Sequence, residues 1–344
     1  MKQINVLVTA ASRRVGLVRG FRAAVERFGQ GRVITTDINS LSPALYFGHG
    51  NHIVPLTTDP EYIPIIESIC DVENIDLIVP TIDDELPLFG RVRPRFEAND
   101  VWVAVSSEET GRICNDKYLT YEFARMNGIE SPRTRTVDEL DFNDVEYPVI
   151  VKPRHGRGSI QVFEARDEQQ LRFFSEYVQD ALIQDLLSGT EFTVDVCSDF
   201  DGRVISAVPR ERLVIRAGVS DKGITRRNKP VLEFACHVAE SLQLVGPANI
   251  QCMWDGNKAS LIEVNPRFSG GIPLTIESGA DFPAWLVQMR AGRRIRPQIG
   301  MFQENLTMMS FEDSVFARAD ELQPGRSRQA RRFARKSSTM AYVN

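Results

Sequence analysis

Short apolar runs alternate with helical patterns in the first third of the chain, and this alternation restricts the fold more than any other feature. Residues 15–28 carry apolar side chains at helical spacing. The strand-like runs cover residues 4–8, 33–36, 75–80 and 101–105. Strands that alternate with helices predict a parallel sheet with right-handed crossovers. Ligands of such a sheet bind beyond the carboxyl ends of its strands, which here lie near residues 9–14, Asp37 and residues 81–85.

The loop after the first predicted strand argues against a dinucleotide site. Its sequence, TAASRR over residues 9–14, lacks the glycines of a GxGxxG fingerprint, since only Gly16 remains. Asp37 follows the second strand, where a ribose-binding acid would stand, but one aspartate is weak evidence. Arg13 and Arg14 are equally compatible with contact to an anionic substrate and with a solvent-exposed helix start.

The composition is that of a globular protein. The 344 residues are 42% hydrophobic and 25% charged, enough chain for two or three domains. No run approaches the roughly 20 apolar residues that cross a bilayer, and the N-terminus shows no cleavable signal pattern. We therefore expect a cytoplasmic protein without membrane contact. The five cysteines are scattered and form no CxxC pair, so neither a disulfide framework nor a zinc site is indicated.

The net charge of -5 conceals a basic C-terminal tail. Residues 323–344 contain six arginines and lysines and no acid, so residues 1–322 carry -11. An acidic body repels a phosphate backbone, and nucleic-acid binding would depend on the tail alone. We favour a solvated, disordered terminus, and a docking or targeting tail is the alternative.

A glycine-rich loop follows a predicted strand at residues 147–152. The loop reads GRGS over residues 156–159 and leads into a β-rich stretch at 160–163, whereas a P-loop leads into a helix and ends in Gly-Lys-Ser or Gly-Lys-Thr. Such a hairpin can close over phosphates as a lid. Upstream, Asp116 is expected to start a helix at Lys117.

Residues 249–267 predict a β-hairpin whose register can be counted. If residues 256–258 form a three-residue turn, Asp255 lies opposite Ala259. Counting outward then pairs Gln251 with Glu263 and Asn249 with Asn265.

The period of two in this hairpin places Gln251, Glu263 and Asn265 on one face. Three oxygen-bearing side chains suit Mg²⁺, which is usually completed by water and nucleotide phosphate. Arg267 then stands where it could neutralise a transferring phosphoryl group. The alternative is a solvated sheet face, and for an isolated Glu-x-Asn that alternative would be preferred.

Five segments occur in an order that resembles the ATP-grasp superfamily, and within it the ATP-grasp unit of the carbamoyl phosphate synthetase large subunit. They are residues 115–117 (NDK), 148–153 (PVIVKP) leading into 156–159 (GRGS), 183–192 (IQDLLSGTEF), 249–251 (NIQ) and 263–267 (EVNPR). Each segment is moderately specific by itself, and the ordered set is much more so. The synthetase often has arginine where this chain has Lys117 and Lys152, which is closer to the broader superfamily.

The resemblance implies an α/β, Rossmann-like pre-ATP-grasp domain followed by a two-subdomain α+β ATP-grasp fold. The expected parts are the first domain at 1–110, a small subdomain with the glycine lid at 111–187, a C-terminal subdomain with the metal site at 188–322, and the tail at 323–344.

The resemblance also implies a role for each matched residue. Lys117 and Lys152 should contact nucleotide phosphates, and Gly156, Gly158 and Ser159 should form the lid. The backbone of Gln184, Asp185 and Leu186 should contact adenine, and Glu191 the ribose. The expected metal ligands are Gln251, Glu263 and Asn265, and the expected catalytic residues are Arg267 and Lys152.

The acceptor site is less constrained by these motifs. Arg210, Arg212 and Arg216 alternate with period two, so we expect them to share a face and bind an anion. Ser269 lies in a loop where a substrate could approach the backbone. Glu85, together with Thr81 and Asp83, could recognise the ammonium of an amino-acid-like substrate.

The implied function is an ATP-dependent ligase that uses Mg²⁺ or Mn²⁺. It would convert a small-molecule carboxylate to an acyl phosphate for attack by an amine or similar nucleophile, releasing ADP and phosphate. Positioning and charge neutralisation supply most of the catalysis in such a phosphoryl transfer. The alternatives are an ATP-binding regulatory module without turnover and a synthetase-type subunit that needs a partner chain. A homodimer is compatible with the resemblance.

Overall fold

A computed structural model describes residues 3–29, 31–156, 158–216, 219–318 and 322. The basic tail predicted at residues 323–344 lies outside them. The N-terminal domain is built on a parallel sheet with the strand order β3-β2-β1-β4-β5, which confirms the predicted fold class. Its elements are β1 (Val6–Val8), α1 (Val15–Gly29), β2 (Val33–Asp37), β3 (Gly50–Ile53), α2 (Tyr62–Glu73), β4 (Leu77–Val79), α3 (Leu86–Glu97) and β5 (Trp102–Val103).

The next part of the chain forms three helices and a four-stranded sheet, which correspond to the small subdomain of the expected fold. The elements are α4 (Glu108–Cys114), α5 (Lys117–Met126), β6 (Thr134–Thr136), β7 (Val149–Pro153), β8 (Phe163–Ala165), α6 (Glu168–Tyr177) and β9 (Ala181–Asp185). Asp116 begins α5 as predicted, because its carboxylate accepts the backbone N–H groups of Tyr118 and Leu119. The β-rich stretch predicted at 160–163 becomes a strand only at Phe163.

A six-stranded sheet of order β14-β13-β10-β11-β12-β15 forms the C-terminal subdomain. Its elements are β10 (Thr190–Ser198), β11 (Val204–Arg216), β12 (Val219–Thr225), α7 (Lys229–Ser241), β13 (Gly246–Trp254), β14 (Ala259–Asn265), α8 (Ile272–Glu277), α9 (Phe282–Arg290) and β15 (Thr307–Met309). None of the described helices is long and apolar enough to span a membrane.

One hydrophobic core joins the N-terminal domain, the C-terminal subdomain and α5, whereas the small sheet and α6 pack around a core of their own. The ring of Phe21 on α1 stands perpendicular to that of Phe268 at 5.7 Å, and the ring of Trp102 lies 4.6 Å from that of Phe200. A further core lies inside the N-terminal domain on the side of α2 and α3. The core of the small sheet surrounds Val151. The N-terminal domain and the C-terminal subdomain therefore form one packed unit, and the small sheet stands against it.

Gly16, in the first turn of α1, packs closely against the C-terminal subdomain. A Cβ on Gly16 would lie 2.7 Å from Cγ of Pro273, so this face of α1 is covered by α8.

Candidate functional site

The hairpin of β13 and β14 contains two offsets that cancel. Trp254, rather than Asp255, lies opposite Ala259, so the turn is one residue longer than predicted. The register then shifts between Gln251 and Cys252, and Ile262 is left as the extra residue of a bulge. Beyond the bulge the strands return to the predicted register.

The predicted metal ligands consequently stand together. Gln251 pairs with Glu263, and Asn249 with Asn265. Asn265 Oδ1 accepts a hydrogen bond from Arg267 Nη2 at 3.0 Å. None of the described residues donates a hydrogen bond to the carboxylate of Glu263.

One carboxylate and two amide oxygens fit Mg²⁺, which prefers oxygen ligands and completes its octahedron with water and phosphate. No group of three or more His, Cys, Asp or Glu side chains within the described residues could hold a metal by itself. The donor set of Gln251, Glu263 and Asn265 therefore suits a metal that arrives with a nucleotide.

A cavity of about 280 Å³ lies between the small sheet and the C-terminal sheet. All nine residues expected to bind nucleotide line this cavity, namely Lys117, Lys152, Gly156, Gly158, Ser159, Gln184, Asp185, Leu186 and Glu191. Gln251 and Glu263 line it as well. The fold thus brings together residues that are spread over about 150 positions of the sequence.

Lys152 is buried in the wall of this cavity on β7 and is only 6% exposed. Its Nζ donates to Gln184 Oε1 at 2.7 Å, and Gln184 Nε2 donates to Thr134 Oγ1 at 2.8 Å. Burial lowers the pKa of Lys152 to about 8; the Glu263 carboxylate opposes this shift and the Lys117 cation adds to it. A phosphate would supply the anionic partner that the amide of Gln184 cannot.

Lys117, the first residue of α5, ties that helix to the glycine loop. Its Nζ donates to the carbonyl of Gly156 at 2.8 Å. Burial lowers the pKa of Lys117, and the carboxylates of Glu263, Asp83 and Asp116 oppose the shift. Arg154 Nη2 lies 2.7 Å from Asp116 Oδ2, which holds the start of the helix in place.

The basic strand β11 does not present the three-arginine face that its alternation predicts. Register shifts between Arg212 and Val214 and again before Ile215 break the period of two. Arg212 lines the same cavity of about 280 Å³, where it forms an ion pair with Glu191 and donates to Gln251 Oε1 at 3.4 Å. Arg216 belongs to the strand backbone, and its side chain lies outside the described residues.

Arg210 is buried in an ion-pair network on β11 and does not line the cavity of about 280 Å³. It is 1% exposed and donates to both carboxylate oxygens of Asp195, at 2.8 and 3.0 Å, and to Ser269 Oγ at 3.0 Å. A Cβ on Gly271 would lie 2.3 Å from Arg210 Nη1, so the loop backbone covers the guanidinium. Ser269, 5% exposed, serves this buried network in the structure.

Glu85 is 1% exposed inside the N-terminal domain and does not line the cavity of about 280 Å³. It accepts from Tyr62 Oη at 2.5 Å and from Thr9 Oγ1 at 2.9 Å. Burial raises the pKa of its carboxyl, and these hydrogen bonds oppose the shift. The neighbouring acids Asp83 and Asp84 face a cavity instead.

That second cavity has a volume of about 630 Å³ and adjoins the first. Lys117, Gly156 and Glu263 line both cavities. Residues that line only the larger one include Asp83, Asp84, Cys114, Asn115, His155, Asp180 and Asn265. Asp84 falls within residues 81–85, which the sequence predicts to lie at the ligand-binding edge of the parallel sheet, whereas no sequence pattern indicates Cys114 or Asp180.

Family models match two parts of the chain. The model described as ATP-grasp in the biosynthetic pathway with Ter operon matches residues 177–313. The model described as PylC-like, N-terminal domain, matches residues 6–104.

A carbamoyl-phosphate synthase of Methanobrevibacter smithii is 26% identical over 64% of this chain, and the match spans 65% of that relative's length. Among solved structures, the biotin carboxylase domain of 2-oxoglutarate carboxylase from Hydrogenobacter thermophilus, in complex with MgADP and bicarbonate, has a TM-score of 0.71 and 16% identity. The alignment with that structure covers 89% of this chain and 74% of the other chain. An L-amino acid ligase from Bacillus licheniformis has a TM-score of 0.67 and 18% identity. The alignment covers 89% of this chain and 79% of the ligase chain.

The parallel-sheet domain, the two antiparallel sheets that enclose a lysine-lined cavity, and these matches together show that the chain has the ATP-grasp fold.

Proposed function

We propose that this protein is an ATP-dependent ligase that joins a small-molecule carboxylate to an amine. The observation that carries the proposal is the arrangement of the two cavities. All nine expected nucleotide-binding residues line the smaller one, and Glu263 stands where it opens toward the larger one. A phosphoryl donor and an acceptor could thus meet at the metal ligands.

In this reaction a carboxylate oxygen of the acceptor attacks the γ-phosphorus, and the bond to the bridging oxygen breaks to release ADP. The amine then attacks the acyl carbon, phosphate leaves, and the amine nitrogen gives up a proton. Lys117 and Lys152 would hold the phosphates, and Arg267 would neutralise charge on the phosphoryl group in transfer. Gln251, Glu263 and Asn265 would hold Mg²⁺, which when bound neutralises phosphate charge. Mn²⁺ has the same preference for oxygen ligands and would serve as an alternative.

The larger cavity supports an acceptor or nucleophile that carries an amino group. Asp84 and Asp180 line it, and their carboxylates could accept hydrogen bonds from an ammonium group. The similar structures support the same class: one is an L-amino acid ligase, and another holds MgADP together with bicarbonate, a small carboxylate-like anion. Because the reaction consumes ATP, we place it in the cytoplasm, and the dimeric state of the bicarbonate-bound relative supports a homodimer.

The test is incubation of the full chain with Mg²⁺, ATP and a panel of amino acids and other small carboxylates, with and without added amine. ADP and phosphate are the expected products, whereas AMP and pyrophosphate would contradict the acyl-phosphate mechanism. Glu263→Ala should reduce turnover by about 100-fold or more, because the carboxylate serves the metal directly. Undiminished phosphate release by that variant would overturn the metal assignment. Asp71→Asn, an exposed position on α2, is the control.

A further inference from the structure

We propose that Asp83 of the N-terminal domain is a positioning residue for Arg267. This inference rests on the proposed function, because it concerns the guanidinium that would meet the transferring phosphoryl group. Asp83 opens a short 3-10 helix, Asp83–Glu85, just after β4. Its Oδ2 accepts from Arg267 Nη2 at 2.9 Å, and each of the two side chains is 13% exposed. The sequence separation of 184 residues makes this a contact between the first domain and the metal-binding hairpin.

The hydrogen bonds of Arg267 fix the plane of its guanidinium. Nη2 donates to Asp83 and also to Asn265 Oδ1 at 3.0 Å, and Nη1 donates to the carbonyl of Phe268 at 3.2 Å. Nε is buried and has no acceptor among the described residues. A guanidinium has five N–H groups. Because Nε is buried, the second hydrogen of Nη1 remains for an incoming oxygen, and Asp83 together with Asn265 sets the direction in which it points.

A second arginine braces the same segment from the N-terminal domain. Arg14 Nη1 donates to the carbonyl of Phe268 at 3.0 Å, and its Nη2 donates to the carbonyl of Thr81 at 2.6 Å. The Phe268 ring is 1% exposed and lies against Phe21. The backbone just after Arg267 is therefore anchored, and the remaining freedom of the guanidinium is controlled by Asp83 and Asn265.

Two other roles for Asp83 make different predictions. As a purely structural ion pair between domains, it would affect the free energy of unfolding and leave kcat unchanged. As a direct substrate ligand in the 630 Å³ cavity that it lines, it would act on KM for the acceptor independently of Arg267. A positioning residue instead lowers kcat through Arg267, since a displacement of about 1 Å can cost about 100-fold in rate.

The experiment compares Asp83→Asn, Asp83→Glu, Arg267→Lys and the double variant Asp83→Asn/Arg267→Lys in the full chain. Asp83→Asn should lower kcat by about 10- to 100-fold with KM for ATP within twofold, because Asp83 does not line the nucleotide cavity. Asp83→Glu should recover part of the loss. The double variant should be no slower than Arg267→Lys. Wild-type kcat in Asp83→Asn, or losses that multiply in the double variant, would overturn the proposal.

If the wild-type chain turns over no carboxylic acid, the proposed function is wrong. The role of Asp83 in positioning Arg267 can then still be tested by nucleotide binding. Calorimetry with Mg²⁺ then compares affinity for ATP and for ADP, which differ by the phosphoryl group that Arg267 would meet. Asp83→Asn should reduce the preference for ATP to the level of Arg267→Lys. An unchanged preference overturns the inference, and Asp71→Asn, with the same charge change on α2, should match the wild type in every assay.

Discussion

At the scale of single residues, the most informative side chain is Lys152, a buried amine that donates its hydrogen bond to the neutral amide of Gln184. Its pKa is lowered to about 8, so in the nucleotide-free protein the neutral form dominates above that pH. A neutral amine cannot pair with phosphate, and bound phosphate in turn favours the charged form.

We therefore expect affinity for ATP to be steady below pH 8 and to fall above it, approaching about tenfold per pH unit. Calorimetric titration with Mg²⁺ and ATP on both sides of that pH measures the dependence, and buffers of different ionisation enthalpy should reveal proton uptake on binding. Lys152→Arg stays charged and should remove most of the dependence. The pKa of Lys117 is lowered as well, so Lys117→Arg measures how much Lys117 contributes to the pH dependence of ATP affinity. A flat profile in the wild type would contradict the assignment.

The residues expected to bind nucleotide meet in one cavity, as their motifs predict, whereas two of the residues expected to bind substrate are buried outside both cavities. Lys117 and Glu191 belong to ordered motifs, and the fold delivers both to one cavity. Arg210 and Glu85 have no such context, because a charged residue reads the same whether it faces a ligand or a buried partner. Asp195, which engages Arg210, is on the neighbouring strand, and its position becomes visible only with the register of β10 against β11.

At the scale of elements, the packing of α1 against α8 predicts that a glycine-to-alanine substitution in a helix destabilises this protein, whereas such a substitution is usually stabilising. Replacing glycine by alanine inside a helix usually stabilises it by about 0.5–1 kcal/mol. Gly16 lies in the first turn of α1, but a Cβ there would be 2.7 Å from Pro273 Cγ. We expect Gly16→Ala to lower the free energy of unfolding by about 1–3 kcal/mol through overpacking.

Denaturant unfolding of Gly16→Ala, Pro273→Ala and the double variant measures this effect. The double variant should recover most of the loss, because the clashing ring is gone. A gain in stability for Gly16→Ala alone would show that α8 does not cover α1 as described.

The metal-ligand hairpin shows how far a register can be counted from sequence. The turn was one residue too short in the prediction, and the bulge at Ile262 was not foreseen, yet Gln251 still faces Glu263. The longer turn shifts the pairing by one residue in one direction, and the extra residue in β14 shifts it back by one. The two shifts therefore cancel. Sequence patterns indicate alternation, but a bulge depends on contacts with the rest of the sheet. The same limit explains why the bulges of β11 beyond Arg212 were missed.

At the scale of the whole molecule, the small sheet is the part that packs around a separate core. One core joins the N-terminal domain, the C-terminal subdomain and α5, whereas the small sheet and α6 pack around their own residues. The cavity of about 280 Å³ lies at the junction, and Ile160 lines it while remaining 70% exposed. An apolar side chain so placed gains burial when the small sheet closes over a ligand.

We therefore expect Mg²⁺ and ATP to slow amide hydrogen exchange in the small subdomain, most strongly in residues 158–163 beside the cavity, and to leave α2 of the N-terminal domain unchanged. Exchange reports local opening free energies, so closure of one subdomain should appear as local protection rather than a uniform shift. Ile160→Ser should weaken the protection without reaching the core, because the side chain is exposed before closure. Equal protection across all three parts would indicate general stabilisation by ligand instead, in which case the separate core of the small sheet would not act as a moving unit.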